Sequence, residues 1–578
     1  MYVRKIQRRN KDGSVVRYVQ LATNYRADGT TRAEVLLSLG REDRLDAGSL
    51  RRLVASINRY LGDAHQDAAA PLAAEGDPLH VTASRAIGAT WLLDGLWKRL
   101  GIDTALAKVL DTRRFRTDVE RALFTLVANR AIAPDSKRAA VEWAGCDVVI
   151  PGAGKVAEQH AYRAMDLLVD ATAQAAVQEA VFFAAANLLD LEVDVVFFDT
   201  TSTYFERDTA DTADGALRRF GHSKDHRGDL PQIVIGLAVT REGIPVRCWV
   251  WPGQTSDQTV IEQVRADLRS WRLGRVVTVV DSGFSSEANL ACLTRAGGHY
   301  IAGIKMREGS AKAAEALARQ GRYQQVRDNL RVKEVRLDSD PNRRWVICHN
   351  PVEAERDATR RTEQLAAIEE ELARIKTARA ADAAAARTRA AKAGHKRAPK
   401  PPDTVHRKAE CALRDHPSLG RWLKQHPATG RLSIDRAKAK AEANLDGKYL
   451  LATSDPDLTA EDVALGYKNL LEAERAFRTM KNTLNLRPVY HRIDDRIRAH
   501  VLLCWLALLL IRVAERRTAT TWRTLRTELG RLHQVTLTGP AGSLRQLTEP
   551  TDTQVQIFKE CGVPLPPKMD ALEPATTR

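Results

Sequence analysis

The stretch LEVDVVFFDTTSTYFE, residues 191–206, decides the fold. Val195, Val196, Phe197 and Phe198 are consecutive and apolar, which predicts a strand buried on both faces. The run ends at Asp199, and Thr200, Thr201, Ser202 and Thr203 follow it. A carboxylate at the tip of so water-averse a strand needs a reason. A second apolar run, VVTVVDSGF, ends the same way at Asp281. One Asp at a strand end reads as a turn starter. Two of them in one sheet weaken that reading.

The neighbouring pattern supports a mixed α/β sheet. Strand-like LPQIVIGLAVT and IPVRCWVWPG follow the first run, then a helix, the second run, another helix and the strand HYIAGIKM. Before them, residues 1–48 alternate as a small β meander. Residues 49–189 turn helical, with breaks at GDAHQD, APDSK and PGAGK. That basic region reads equally as a DNA-binding or dimerisation module and as a plain packing domain. The α/β core fills 190–308 and 446–515, interrupted at 309–445. The interruption begins with strands. It continues as a helix in which Leu365, Ile368, Leu372 and Ile375 have coiled-coil spacing for barely two heptads, which predicts a short helical hairpin. AADAAAARTRAAKAGHKRAPKPP, within the same interruption, reads as a mobile biased segment. Residues 516–578 read as a turn-rich C-terminal tail.

The chain has 578 residues and a formal net charge of +16. A protein this basic usually meets a polyanion, most often nucleic acid. Its seven cysteines are dispersed and none forms a C-x-x-C pair. That argues for reduced thiols in a cytoplasmic protein and against a zinc ribbon or disulfide scaffold. The apolar run VLLCWLALLLIRV, 501–513, is too short to span a bilayer and reads as a core helix, so no membrane partner is expected.

A third acid joins the two strand-end aspartates. In EDVALGYKNLLEAERAFRTMKNTL, Glu474 lies three or four residues from Leu470, Leu471 and Phe477, on their apolar face. Burial there costs desolvation unless a positive charge meets it. Tyr467, Glu474 and Lys481 follow at seven-residue intervals, which places them along one side of a continuous helix. Three clustered acids repel unless cations neutralise them. Hard oxygen donors select Mg²⁺ or Mn²⁺, and two such ions form the clamp used for in-line phosphoryl transfer. Asp199, Asp281 and Glu474 are therefore the candidate metal ligands and catalytic residues.

At these residues the sequence resembles the DDE transposases of bacterial insertion sequences, whose catalytic core is an RNase H-like mixed sheet with flanking helices. The resemblance rests on FDTTS, on VVDSGF, and on YKNLLEAERAFRTMK, which is similar to the Y-x2-R-x3-E-x6-K signature. Tyr467, Glu474 and Lys481 take signature positions, while Leu470 stands at the arginine position; Arg475 and Arg478, on other faces of the helix, are candidates to substitute for its phosphate contact, and with Tyr467 and Lys481 they join the candidate DNA-binding residues. The resemblance implies hydrolytic nicking at element ends and attack of the freed 3′-hydroxyl on target DNA. It implies as partners the terminal inverted repeats and target DNA, and a homodimer in the synaptic complex. In some relatives an aromatic residue near the third strand holds a flipped base. Trp249 and Trp251 lie in the matching region, and each reads equally as a core aromatic.

His222, Lys224, His226 and Arg227, in RRFGHSKDHRGDLPQ, are candidates for phosphate contacts near the first Asp. The i, i+4 histidines could hold zinc on a helix, but Gly221, Gly228 and Pro231 argue for a loop. Arg487, His491, Arg492 and Arg496 extend the basic set past the glutamate helix. Two other functions compete with transposition: a metal-dependent nuclease of the same fold without strand transfer, and a catalytically inactive DNA-binding repressor.

Overall fold

The computed structural model describes residues 2–9, 15–27, 30–42, 45, 48, 54, 80–110, 118–154, 156–169, 171–191, 194–271, 276–307, 311–394, 404–427, 430–539 and 542–574. The GDAHQD break and most of 49–79 lie outside them. The chain packs into two compact units. One comprises Met1–Val260, Asp267–Gly274 and Leu471–Arg578, and the other Ile261–Ala266 and Arg275–Leu470.

The first unit is built on the Asp494–Thr518 helix. Every residue from Ala499 to Ile511 is buried, as expected of a helix that is apolar all round. The helix has 25 residues, so the apolar run within it belongs to an element long enough to cross a bilayer. However, 89% of its most apolar window is buried inside the fold. The Val119–Ile132, Glu158–Leu168 and Asp552–Cys561 helices pack on it. Val119–Ile132 is buried on nearly all sides, and its Arg121 is satisfied by Asp94 and Glu120.

Two antiparallel sheets flank this helical body in sequence. Tyr2–Arg9, Val15–Ala27 and Thr30–Arg41 form the meander. His80–Ala86 joins His533–Gly539, Gly542–Leu547 and Met569–Pro574 in a four-stranded sheet. The described residues of 516–578 are thus largely helix and strand rather than a turn-rich tail. Their pairing with His80–Ala86 joins segments too far apart in sequence for local patterns to reveal.

Three further antiparallel strands of this unit are Val195–Tyr204, Gln232–Thr240 and Pro245–Pro252. The middle one is buried at every residue. Gly236 leaves room for the Trp251 ring, since a Cβ there would lie 2.5 Å from it. Trp249 and Trp251 stack with centroids 6.2 Å apart, are 5% and 9% exposed, and Trp249 Nε1 donates to Asp267. Trp251 is therefore a core aromatic here, not an open platform for a base.

The second unit contains a six-stranded mixed sheet in the order Gln324–Arg327, Leu330–Leu337, Asp340–His349, Lys448–Thr453, His299–Ile304, Val277–Val280. Its last pair is parallel and the others antiparallel. The helices Glu287–Thr294 and Ala460–Lys468 pack against it. The architecture is mixed α/β, and the first strands of the 309–445 interruption are members of this sheet.

Asn350 caps the long helix Pro351–Lys392 by accepting from Val352 and Glu353 backbone N–H groups. The segment read as mobile from Ala380 is helical as far as Lys392, and 395–403 lies outside the described residues. Ala-rich composition favours helix over a loose linker. The helix Thr404–Arg414 packs back on it, with Arg379 bound to Glu410. Leu365, Ile368 and Leu372 of the stripe pack with Trp422, Leu419, Leu423, Ile434 and Ala439, not with a matching heptad. Trp422 Nε1 also donates to Gln364.

Two substitutions test this packing. Trp251→Ala is expected to cost about 3–5 kcal/mol of stability, read by urea unfolding, as for other large core aromatics. Ile368→Ala, at the centre of the second unit's small cluster, should cost about 2–5 kcal/mol in the same assay. A wild-type midpoint in either variant contradicts the burial described here.

Candidate active site

Asp199 is not at a strand tip. It is the fifth residue of Val195–Tyr204 and pairs across from Leu237. Thr200–Thr203 continue the strand and are buried, because the fully buried Gln232–Thr240 strand runs alongside them. Among the first nine residues of the strand, Asp199 alone is not fully buried. Lys224 Nζ lies 3.8 Å from its Oδ1 and 3.2 Å from Asp257 Oδ2. The same ammonium donates to Thr200 O at 2.8 Å and to Thr200 Oγ1 at 2.7 Å. Lys224 N donates to Ser202 Oγ at 2.8 Å, which fastens the 221–230 loop to the strand. Lys224 thus already has protein partners, and His222 is exposed on the same loop. Arg227 forms an ion pair with Asp229 at 2.8 Å and lies over the Tyr204 ring.

Glu474 belongs to the helix Leu471–Arg478, which packs on Val195–Tyr204 and Gln232–Thr240. The buried stripe consists of Ala473, Ala476 and Phe477, continued by Met480. Leu471 is 41% exposed and Glu474 is exposed, so Glu474 does not share the apolar face expected of it. Among the described residues no cation is paired with it. The seven-residue alignment also fails, because the helix is not continuous. Ala460–Lys468 ends at the Asn469 cap, and a π turn, Thr479–Thr483, follows Arg478. Leu484 N bonds Thr479 O across five residues, which rotates Lys481 away from the α-helical azimuth.

Lys481 is bound to Asp225 at 2.9 Å, and Arg487 to the same carboxylate at 2.8 Å. Burial pulls the Lys481 ammonium below its ordinary pKa despite Asp225. Arg475 pairs with Glu472, and Arg478 is exposed. His491 packs edge-on to Tyr162 and near His500, and burial lowers it to about 4. Its burial and the neighbouring Lys137, Arg496 and Arg130 charges disfavour its protonated form.

In the second unit, Asp281 follows the Val277–Val280 strand directly, as its sequence implies. Tyr467 donates its hydroxyl to Asp281 Oδ1 at 3.0 Å. Gly303 permits this approach, since a Cβ there would lie 2.3 Å from the phenol oxygen. Tyr449 stacks on Tyr467 with centroids 6.0 Å apart. Arg344 ties Glu334 to the carbonyls of Asp455 and Leu458, fixing the turn before the Tyr467 helix.

Among the described residues no group of three or more His, Cys, Asp or Glu side chains is arranged to hold a metal ion. The donors present nevertheless fit a hard divalent cation in kind. Asp199 and Asp257 are carboxylates on either side of an ammonium, so this position already receives positive charge. Asp257 and Asp225 were missed in the sequence. Asp257 sits in a short 3-10 turn far from any strand pattern, and Asp225 lies in a loop read for its basic residues.

Residues 193–510 match the family model described as the transposase DDE domain. Residues 3–70 match the N-terminal domain of IS1634 family transposases. No curated protein matches the chain. Among solved structures, a piggyBac transposase synaptic complex with hairpin DNA, determined by cryo-EM, is similar with a TM-score of 0.35 and 8% identity, covering 76% of this chain and 79% of that one. The DDE match spans more than half of the 578 residues, and the chain belongs to the DDE transposases of insertion sequences.

Proposed function

We propose that this transposase cuts DNA at the ends of its insertion sequence and joins the freed 3′-hydroxyl to target DNA. Asp199, Asp281 and Glu474 are the catalytic carboxylates of an RNase H-like core. The observation that carries the reading is the half-open Asp199 within an otherwise buried strand, on which the Glu474 helix packs. A rigid strand is a good holder for a ligand that must not move during the reaction.

Asp199, Asp281 and Glu474 would hold two Mg²⁺ or Mn²⁺ ions. When bound, these ions supply an activated attacking oxygen and stabilise the leaving oxygen. The remaining roles fall to the chain itself. Tyr467 orients the Asp281 carboxylate through its hydroxyl. Lys224 offsets the charge of Asp199 and Asp257. Lys481 and Arg487 fix Asp225, and through it the loop that carries Lys224 and His222. Exposed Arg478 and His222 are the members of the basic set most open to backbone phosphate, which positions DNA without reading its sequence. Arg475 and Arg227 can join them by exchanging a carboxylate partner for phosphate. The DNA partners are the terminal inverted repeats and the target, bound by a homodimer in the cytoplasm.

Cleavage of end-bearing duplex with Mg²⁺ tests the reading. Asp199→Asn, Asp281→Asn and Glu474→Gln should each lower cleavage at least a hundredfold while retaining end binding. Full activity in Asp281→Asn would remove the proposed site. A wild type that cuts but never joins a 3′ end to target DNA would make the protein a nuclease. For the phosphate contacts, Arg478→Ala should weaken binding to all DNA sequences alike and reduce the slope of log affinity against log salt by about 1.

A further inference from the structure

The loop after the glutamate helix covers a buried cluster of bases that the catalytic reading does not use. Arg130, Lys137 and His500 are each 4% exposed. Lys137 Nζ donates to His500 Nδ1 at 3.0 Å, while His500 Nε2 donates to Leu486 O at 3.1 Å. Arg130 donates to the carbonyls of Leu484 and Asn485 at 3.3 and 3.2 Å. The His491 ring lies 5.5 Å from that of His500. Together they line a cavity of about 260 Å³ whose wall includes Ser136 and the 76% exposed Tyr490, so it reaches the surface.

Among the described residues no carboxylate is paired with this charge, although Asp135 acts on Arg130 from a distance. Asp135 borders the cavity, but it is exposed and accepts from Ser136 N. Asp166 is taken by Arg496 at 2.7 and 2.9 Å. Among the described residues neither is within ion-pair distance of Arg130 or Lys137. A buried cation without an anion is costly, and such a group tends to lose its proton instead. Burial beside Arg130 holds Lys137 down at about 7, which agrees with a site short of negative charge. Two of the three ammonium donors of Lys137 have no partner among the described residues.

We propose that this cavity is a phosphate-binding site, in which Lys137, Arg130 and His491 receive one backbone phosphate of bound DNA. The anion chemistry rests on the cavity alone. The source of the phosphate rests on the DNA reading above and on the loop 484–491, which runs on from the glutamate helix and carries Arg487 beside Asp225. A phosphate held here fixes the register of the duplex on the first unit without reading bases.

The test uses the full-length protein, Lys137→Met, and His491→Asn as a second variant at a less buried position. Thermal unfolding is compared in inorganic phosphate and in chloride of equal ionic strength, and end-DNA affinity is measured across a salt series. Phosphate should raise the wild-type midpoint beyond chloride, and Lys137→Met should abolish the difference. Lys137→Met should also weaken DNA binding about tenfold and lower the salt slope by about 1. His491→Asn should weaken both responses. Phosphate stabilisation that vanishes in Lys137→Met with DNA binding unchanged keeps the anion site and overturns DNA as its source. No phosphate-specific stabilisation, together with wild-type DNA affinity and slope in both variants, overturns the proposal. If the wild type binds no DNA, the transposition reading fails and the melting comparison alone decides the cavity.

Discussion

The structure depends on holding a carboxylate in the middle of a strand that otherwise excludes water. Val195–Phe198 before Asp199 and Thr200–Thr203 after it are buried. Desolvating an isolated carboxylate is costly, so positive charge must be supplied locally. Lys224 supplies it, and the supply is elaborate. Its backbone is tied to Ser202, its ammonium to Thr200, Asp199 and Asp257, and its neighbour Asp225 to Lys481 and Arg487. The strand fixes the acid, and the loop fixes the charge that makes the acid tolerable.

This network explains why so few of the basic residues near the site are idle. Arg227, Arg475, Lys481, Arg487 and Arg496 each face a carboxylate. Pairs exposed to water contribute little stability and exchange readily, whereas a desolvated pair such as Lys481–Asp225 resists exchange. A net charge of +16 therefore does not translate residue by residue into phosphate contacts. The exposed pairs can trade a carboxylate for a phosphate oxygen at low cost. The buried ones serve the shape of the loop.

Strong local patterns in the sequence were reliable, and relations between distant segments were not. The apolar runs at 195–198 and 277–280 announced strands, and the meander at 2–41 followed from alternation. The family signature singled out Tyr467, but its hydrogen bond to Asp281 was not legible from it. The extension of the first strand through Thr200–Thr203 was not legible, because hydroxyl residues read as a turn until a buried partner strand accepts their backbone groups. Nor was the helix break at Asn469 or the π turn at 479–483, since neither contains Gly or Pro. Both breaks defeat the seven-residue geometry, which assumed one uninterrupted α-helix. The exposure of Glu474 follows from the same fact: Ala473, Ala476 and Phe477 set the buried face once the helix restarts at Leu471. Asp257 was hidden because its partners are supplied by tertiary contact alone.

The segment from Glu474 to His500 joins these features along one stretch of chain. It begins on a helix packed against the Asp199 strand, and Lys481 and Arg487 then clasp Asp225 beside Lys224. It next supplies the carbonyls of Leu484, Asn485 and Leu486 to Arg130 and His500, and ends in the buried core helix. The core helix anchors the far end, and at the near end the π turn is closed by the bond from Leu484 N to Thr479 O. The Asp225 clasp and the wall of the basic cavity are thus built from one short segment that follows the Glu474 helix.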